Sequence, residues 1–158
     1  MKHSFKVGIC FGITSGIITT IGLMTGLYSV TNSRLAVLGG ILTIAIADSL
    51  SDAMGIHISE ESENKHTSKE IWESTICTLV SKFVIAFSFI IPVIILDLKI
   101  AIYVSIVWGL SLLCILSYYI SCDGKAKSWR VVLEHLTIAI VVIIAAYYVG
   151  HWIAIIFG

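Results

Sequence analysis

Residues 35–63 read LAVLGGILTIAIADSLSDAMGIHISEESE. This stretch begins as an apolar run, and a helix of about 20 such residues is long enough to cross a bilayer. Two carboxylates, those of Asp48 and Asp52, lie inside the run and are separated by about one helical turn. A segment with the composition of a membrane span therefore carries two acidic side chains, which need partners there.

The whole chain has the composition of an integral membrane protein. Of its 158 residues, 58% are hydrophobic and 13% are charged, and this charged fraction is about half that of a typical soluble domain. The formal net charge is zero, so we expect no nucleic-acid partner. We predict one membrane domain over residues 1–158, located in the cell membrane as a multi-pass protein. No nucleophile–base pair or HExxH-type motif is evident, so we do not expect an enzyme.

Five apolar runs predict an all-α fold with five transmembrane helices, at about 6–30, 35–57, 75–96, 99–121 and 131–157. The basic start of the chain resembles a signal peptide, but the apolar part continues to Val30 without a small-residue cleavage site. We therefore expect a retained span there. The acidic stretch 59–73 is predicted to be a cytoplasmic connection. Pro92 predicts a kink in the third span.

The distribution of basic residues predicts the orientation of these spans. Cytoplasmic loops of membrane proteins carry an excess of Lys and Arg. With the N-terminus inside, the cytoplasmic side holds Lys2, Lys6, Lys65, Lys69, Lys125, Lys127 and Arg130, and the other side holds Arg34 and Lys99. We therefore predict a cytoplasmic N-terminus and an outside C-terminus. Lys82 lies within the third span and is not counted.

The first span carries glycines at a four-residue spacing, namely Gly8, Gly12 and Gly16. This spacing places the glycines on one helix face, where another helix backbone can approach closely. We predict that this face packs at the axis of a homodimer. Ser15 and Thr19 lie among the glycines and are predicted to line a path, although their hydroxyls could instead bond back to their own helix.

The second span combines acidic and small residues on one face. At about 100° per residue, Asp48, Ser59 and Glu63 all lie close to Asp52 around the helix. Ser51 and Gly55 keep this face small and are predicted to line the path. If the helix continues beyond the membrane, His66 and Glu70 extend the acidic stripe.

Two carboxylates within the membrane require a proton or a cation. An ionised Asp at the bilayer centre costs about 2.5–3.5 kcal/mol on insertion scales, and two neighbouring carboxylates also repel each other. Oxygen ligands suit divalent cations such as Mg²⁺, Ca²⁺, Mn²⁺ and Fe(II). The candidate metal ligands are Asp48, Asp52, Ser59, Glu60 and Glu63, and no permanently bound cofactor is expected.

Several of these residues also have a structural interpretation. Asp48 and Asp52 could pair with Lys82 and serve only to hold helices together. Glu134 and His135 are interpreted as an interfacial pair, and the acidic residues near Glu61 as a solvated helix end. The four cysteines, Cys10, Cys77, Cys114 and Cys122, are interpreted as small packing residues.

Two stretches resemble the signatures of the vacuolar iron transporter family. FGITSGIITTIGLMTGL (11–27) is similar to its first-span signature, Asn-Asp-Gly followed by threonines and Gly-Leu. ADSLSDAMGIHIS (47–59) is similar to its second-span signature, in which Ser-Met, two small residues and Gly-Glu-Tyr precede a Ser. The third span with Pro92 and SWRVVLEHLTIAIVVIIAAYYVG (128–150) also resemble the family, so the resemblance covers nearly the whole chain.

The resemblance implies a five-span homodimer with a path between the subunits, lined by the first two spans. Family members export Fe(II), and often Mn(II), from the cytosol in exchange for protons. Ser15 stands where the family has its first-span Asp, Asp52 where it has the second-span Met, and Ile56 where it has the Glu of Gly-Glu-Tyr. The chain also lacks the cytoplasmic metal-binding insert of the plant proteins, as a short prokaryotic-type member would.

These observations predict a divalent-cation transporter, with protons as the exchanged ion, metal ions and lipid as partners, and the ion path at a homodimer axis. Loss of the Met sulfur favours harder ions over soft ones. The alternative is a membrane protein that does not transport, either a metal sensor or a structural protein. In that case Asp48 and Asp52 would serve helix packing.

Overall fold

The long apolar runs form helices because a helix satisfies its backbone hydrogen bonds within one segment, as an apolar environment requires. A computed structural model describes residues 3–122 and 128–158, which are 93% helical and contain no strand. The elements are α1 (His3–Thr31), α2 (Arg34–Thr43), a π-helix (Ile44–Asp48), α3 (Ser49–Glu63), α4 (Ser68–Ser88), α5 (Ile90–Ile95), α6 (Leu98–Cys122) and α7 (Ser128–Phe157).

Within residues 3–122 and 128–158, five helical segments are long and apolar enough to cross a membrane. They are Ser4–Thr31, Arg34–Glu63, Ser68–Ile95, Leu98–Ser121 and Trp129–Phe157. The prediction of an all-helical fold with five helices of spanning length is therefore confirmed for the described residues, and the chain fits a multi-pass membrane protein. The membrane in which it resides and the sidedness of its termini stay predictions.

The second span contains a feature that its sequence did not indicate. Residues Ile44–Asp48 form a π-helix between α2 and α3, and the backbone N–H of Ser49 donates to the carbonyl of Ile44, five residues earlier. The Ser49 hydroxyl also donates to this carbonyl oxygen, at 3.3 Å. Such a turn widens the helix locally and is frequent at functional sites. Here it ends at Asp48, the first of the two intramembrane carboxylates.

The acidic connection is shorter than predicted. α3 ends at Glu63 and α4 begins at Ser68, so residues 64–67 alone separate them, rather than 59–73. Asn64 adopts a left-handed conformation with φ of 53°, which ends α3. Thr67 and Glu70 then form a capping box that starts α4. His66 and Glu70 therefore do not extend an acidic stripe along one continuous helix.

The third span is interrupted as Pro92 predicts. α4 ends at Ser88, and α5 resumes at Ile90. Proline removes one backbone donor and its ring clashes with the carbonyl four residues earlier, which is that of Ser88. At the end of this span, the guanidinium of Arg34 donates to the carbonyl oxygens of Ile94 (3.2 Å) and Leu96 (2.9 Å). This contact fixes the start of the second span to the end of the third.

α1 is the central helix of the bundle. It packs along α4 over most of its length and also contacts α2, α6 and α7. The main apolar core includes Ile17, Ile21 and Met24 of α1, all buried. The first span therefore packs against several helices of its own chain and is partly buried by them.

The predicted role of the α1 glycines at a dimer axis is corrected by this packing. The face formed by Gly8, Gly12 and Gly16 is filled by α4 of the same chain. A Cβ atom at Gly12 would lie 2.6 Å from the carbonyl oxygen of Thr78, and one at Gly16 would lie 3.3 Å from that of Lys82. Close backbone approach is what glycine permits, and the sequence indicated it correctly. The partner is an intramolecular helix because α4 offers small and hydroxyl side chains at the matching positions.

Candidate functional site

A buried lysine lies at the two intramembrane carboxylates. The side chain of Lys82, on α4, is fully buried. Its Nζ atom is 2.5 Å from Oδ2 of Asp48 and 2.5 Å from Oδ2 of Asp52. Asp48 ends the π-helix and Asp52 lies in the first turn of α3, so both carboxylates face α4 from the second span. Asp48 and Asp52 thus share a helix face, as predicted, and Lys82 is their partner.

α1 contributes a hydroxyl to the same cluster. Ser15 Oγ donates to Oδ2 of Asp52 at 2.6 Å, and Nζ of Lys82 donates to Ser15 Oγ at 3.0 Å. The Thr19 hydroxyl is directed back to the carbonyl oxygen of Ser15, at 2.8 Å, as the structural interpretation of this residue required. Ser15, Asp48, Asp52 and Lys82, called here the lysine cluster, therefore join three spans at one level of the bundle.

The two carboxylates of the lysine cluster have different surroundings. Asp52 accepts hydrogen bonds from both Ser15 and Lys82, and 22% of its side chain is exposed. Asp48 pairs with Lys82 through its buried Oδ2 atom, and 35% of its side chain is exposed. Asp52 is therefore the internal carboxylate and Asp48 the accessible one.

The exposed side of Asp48 opens into a groove between α1 and the second span. The groove encloses about 650 Å³ and is lined by Leu23, Leu27, Ala36, Gly40, Thr43, Ile44, Ala47, Asp48 and Ser51. Most of these side chains are apolar. Ser51 lies beside Asp48 in this groove, and its role in lining a path stays a prediction. A Cβ atom added at Gly55 would have no neighbour within 4 Å, so the face of the helix at Gly55 is open.

A second polar layer joins α3 to α4 nearer the 64–67 connection. Glu60 is 7% exposed, and its Oε2 atom accepts a hydrogen bond from Ser74 Oγ at 2.6 Å. His57 Nδ1 lies 3.0 Å from Thr75 Oγ1, and its ring stacks edge-on against Trp72, with centroids 4.8 Å apart. In both contacts the partner on α4 is a hydroxyl group.

The predicted metal ligands do not form one site. Glu60 lies eight residues, or about 12 Å, along the helix from Asp52. Glu63 is exposed and lies 3.7 Å from Lys65 and 4.0 Å from His66, and Ser59 is also exposed. Among the described residues there is no group of three or more His, Cys, Asp or Glu side chains that could hold a metal ion. Residues that share one face of a helix can lie far apart along the helix axis, so a common face does not bring their side chains together.

The remaining candidate residues of the sequence have local contacts. Ser117 Oγ and His135 Nδ1 lie 2.7 Å apart and join α6 to α7, while Glu134 is exposed. Ser117 is buried, so this pair holds helices together. Cys10, Cys77 and Cys114 are free thiols, and the side chain of Cys122 lies outside the described residues.

The importance of Lys82 could have been inferred more strongly from the sequence. A lysine inside a membrane span is costly and almost always has a partner. The chain carries this one in its third span and two aspartates in its second, so pairing was the simplest way to satisfy all three. The sequence did not indicate that Ser15 contacts Asp52 and Lys82, because serines and threonines occur throughout the first span.

Comparison with known proteins adds no family assignment: no protein-family model matches the chain, and no curated protein matches it. The resemblance to vacuolar iron transporters therefore stays a prediction. The lysine cluster and its groove are the features of this chain on which a function can be based.

Proposed function

We propose that this protein is a membrane transporter that exchanges a cation for protons at Asp48 and Asp52. The observation that carries the proposal is the contact of one buried ammonium group with both carboxylates. With all three groups ionised, two negative charges face one positive charge. The lysine cluster then keeps one negative charge that a cation or a proton can neutralise.

In this proposal, the ammonium group of Lys82 supplies the positive charge beside the two carboxylates when no transported cation is bound. A cation arriving at Asp48 reduces the attraction between this carboxylate and Lys82, while Ser15 and Asp52 still hold the ammonium group. A proton that binds the carboxylate of Asp48 likewise weakens the attraction between Asp48 and Lys82. Cation and proton therefore compete for one site, which is the requirement for their exchange.

A divalent metal is the cation that the family resemblance implies, with Fe(II) or Mn(II) exported from the cytosol. One chain offers two carboxylates and a lysine, which is a poor set for an ion that prefers six or more oxygen ligands. A homodimer would bring two such clusters together at a two-fold axis, with two net negative charges. A divalent ion would balance that charge. Since α4 covers the α1 glycines, such a dimer would form through the open side of the second span.

The alternative function, a membrane protein that does not transport, also has an observation in its favour. Lys82 is completely buried, as expected of a lysine whose task is to hold three helices together. A structural lysine cluster and a transport site both explain the contacts of Asp52. The two functions make different demands on Asp48. A transport site needs this carboxylate to be accessible from the groove, whereas helix packing does not.

Proton flux in proteoliposomes tests the proposal. A cation gradient should drive protons in the opposite direction in vesicles that contain the protein, and Asp48→Asn should abolish this flux while the protein stays folded. Asp97→Asn, the same substitution in the turn between α5 and α6, is the matched control and should leave the flux unchanged. If Asp48→Asn and Asp52→Asn both lose thermal stability but transport normally per folded molecule, the lysine cluster is structural and the proposal is wrong.

A further inference from the structure

We propose that the groove beside Asp48 binds an amphiphilic organic monocation, with its ammonium group at the carboxylate and its apolar part along the groove. This inference rests on the proposed cation exchange and names the class of the cation. It is carried by three properties of the groove, namely its size, the chemistry of its walls and the single negative charge at one end.

The size of the groove fits a small organic molecule. Its volume of about 650 Å³ falls within the range of about 300–1,000 Å³ found for small-molecule sites. Its lining residues on the second span run from Ala36 to Ser51, which corresponds to about 22 Å along the helix. A bare metal ion would contact little of this surface, whereas the apolar body of an alkyl or aryl ammonium ion can lie along it.

The walls of the groove select an apolar body over a hydrated ion. Leu23 and Leu27 line the α1 side, and Ala36 and Ala47 line the second span. The polar side chains that line it are Thr43, Asp48 and Ser51, and the Thr43 hydroxyl already donates to the carbonyl oxygen of Gly39 at 2.8 Å. Three oxygen-bearing side chains do not replace the ligand shell of a divalent cation. One carboxylate and one hydroxyl are sufficient for an ammonium group.

The charge of the lysine cluster sets the charge of the occupant. The charged groups that face Asp48 among the described side chains are Lys82 and, through Lys82, Asp52. Their sum with Asp48 is one negative charge when all are ionised. A monocation neutralises this charge within one chain, and a neutral lipid tail leaves it uncompensated.

Calorimetric titration of the purified protein in nanodiscs tests the inference, with hexylammonium and its neutral analogue 1-hexanol as probes. Hexylammonium should bind, and Asp48→Asn should weaken this binding by more than about tenfold, because a buried charge partner is lost. Ala47→Phe should weaken it as well by filling the groove. Ile46→Phe is the matched control, because Ile46 is exposed on a different side of the same turn, and it should leave binding unchanged.

Each other outcome overturns the inference in an identifiable way. Equal binding of 1-hexanol and hexylammonium would show a lipid-like occupant that ignores Asp48. Dissociation of a dimer by Ala47→Phe would show that a second copy of the chain covers the groove. If Mn²⁺ exchanges for protons in vesicles while hexylammonium neither binds nor exchanges, the organic cation is wrong and the proposed function stands. If no cation exchanges for protons, both proposals fail.

Discussion

The second span contacts α4 through two polar layers that differ in charge. In the lysine cluster, two carboxylates meet a buried ammonium group and one of them opens to a groove. In the layer near residues 64–67, Glu60 meets a serine hydroxyl and His57 meets a threonine hydroxyl. Both layers use acidic residues of the second span, yet one pairs them with a buried lysine and the other pairs its carboxylate with a neutral hydroxyl group.

This difference teaches how to interpret an acidic stripe on a membrane helix. Glu60 and Asp52 are similar in sequence terms, because both are acids on one segment. Their chemistry depends on what α4 presents at each level, which is Ser74 in one layer and Lys82 in the other. An acidic residue opposite a lysine can form an exchange site, whereas one opposite a hydroxyl forms an interhelical bond.

The largest expected effect is that of removing the lysine from the ionic layer. Lys82→Met should destabilise the fold by about 3–5 kcal/mol, because two carboxylates then lack their buried counter-charge. Unfolding by denaturant in detergent micelles measures this loss. The control is the triple variant Lys82→Met, Asp48→Asn and Asp52→Asn, which removes all three charges together. It should recover most of the stability, and an unchanged stability of Lys82→Met alone would contradict an ionic layer.

A smaller effect is expected at the α1 glycines that let this helix pack closely against α4. Gly12→Ala should destabilise the fold by about 1–3 kcal/mol, since the added methyl group overpacks the contact with Thr78 on α4. Gly55→Ala is the matched control. A Cβ there meets nothing within 4 Å, so the variant should be neutral or more stable by up to about 1 kcal/mol.

The same pair of variants separates the two possible partners of the α1 glycines. Thermal unfolding and cross-linking should be measured on each. Loss of stability in Gly12→Ala without a change in cross-linked species supports packing against α4 of the same chain. Loss of a cross-linked dimer at unchanged stability would instead support an intermolecular role for this face.

The smallest effect is expected in the layer near residues 64–67. Glu60→Gln should change the stability by less than about 1 kcal/mol, because the amide oxygen of Gln can accept the same hydrogen bond from Ser74. Cation-driven proton flux should also be unaffected. Unfolding and flux measured on one preparation check both expectations. If Glu60→Gln abolishes the flux, the two layers act as a single site and the distinction between them is lost.

Part of this structure is determined by the sequence alone. The five spans were predictable because the length of an apolar run is a local property that fixes how far a helix can extend in an apolar environment. The helix interruption before Pro92 and the common face of Asp48 and Asp52 are local in the same sense. The sequence also indicated that the α1 glycines permit close backbone approach.

Which side chains contact each other depends on how the helices pack, and the sequence alone did not predict this packing. Helical periodicity defines the face of a residue but does not identify the helix that packs on it. Contacts between spans therefore include the approach of Lys82 to Asp48 and Asp52, the packing of α4 on the α1 glycines, and the place of Ser15 in the lysine cluster. The π-helix at Ile44–Asp48, which packs against α1 and α4, was also not indicated by the sequence. Because the net charge of the cluster and the groove beside it depend on these contacts, the candidate site became defined only once the helices were packed.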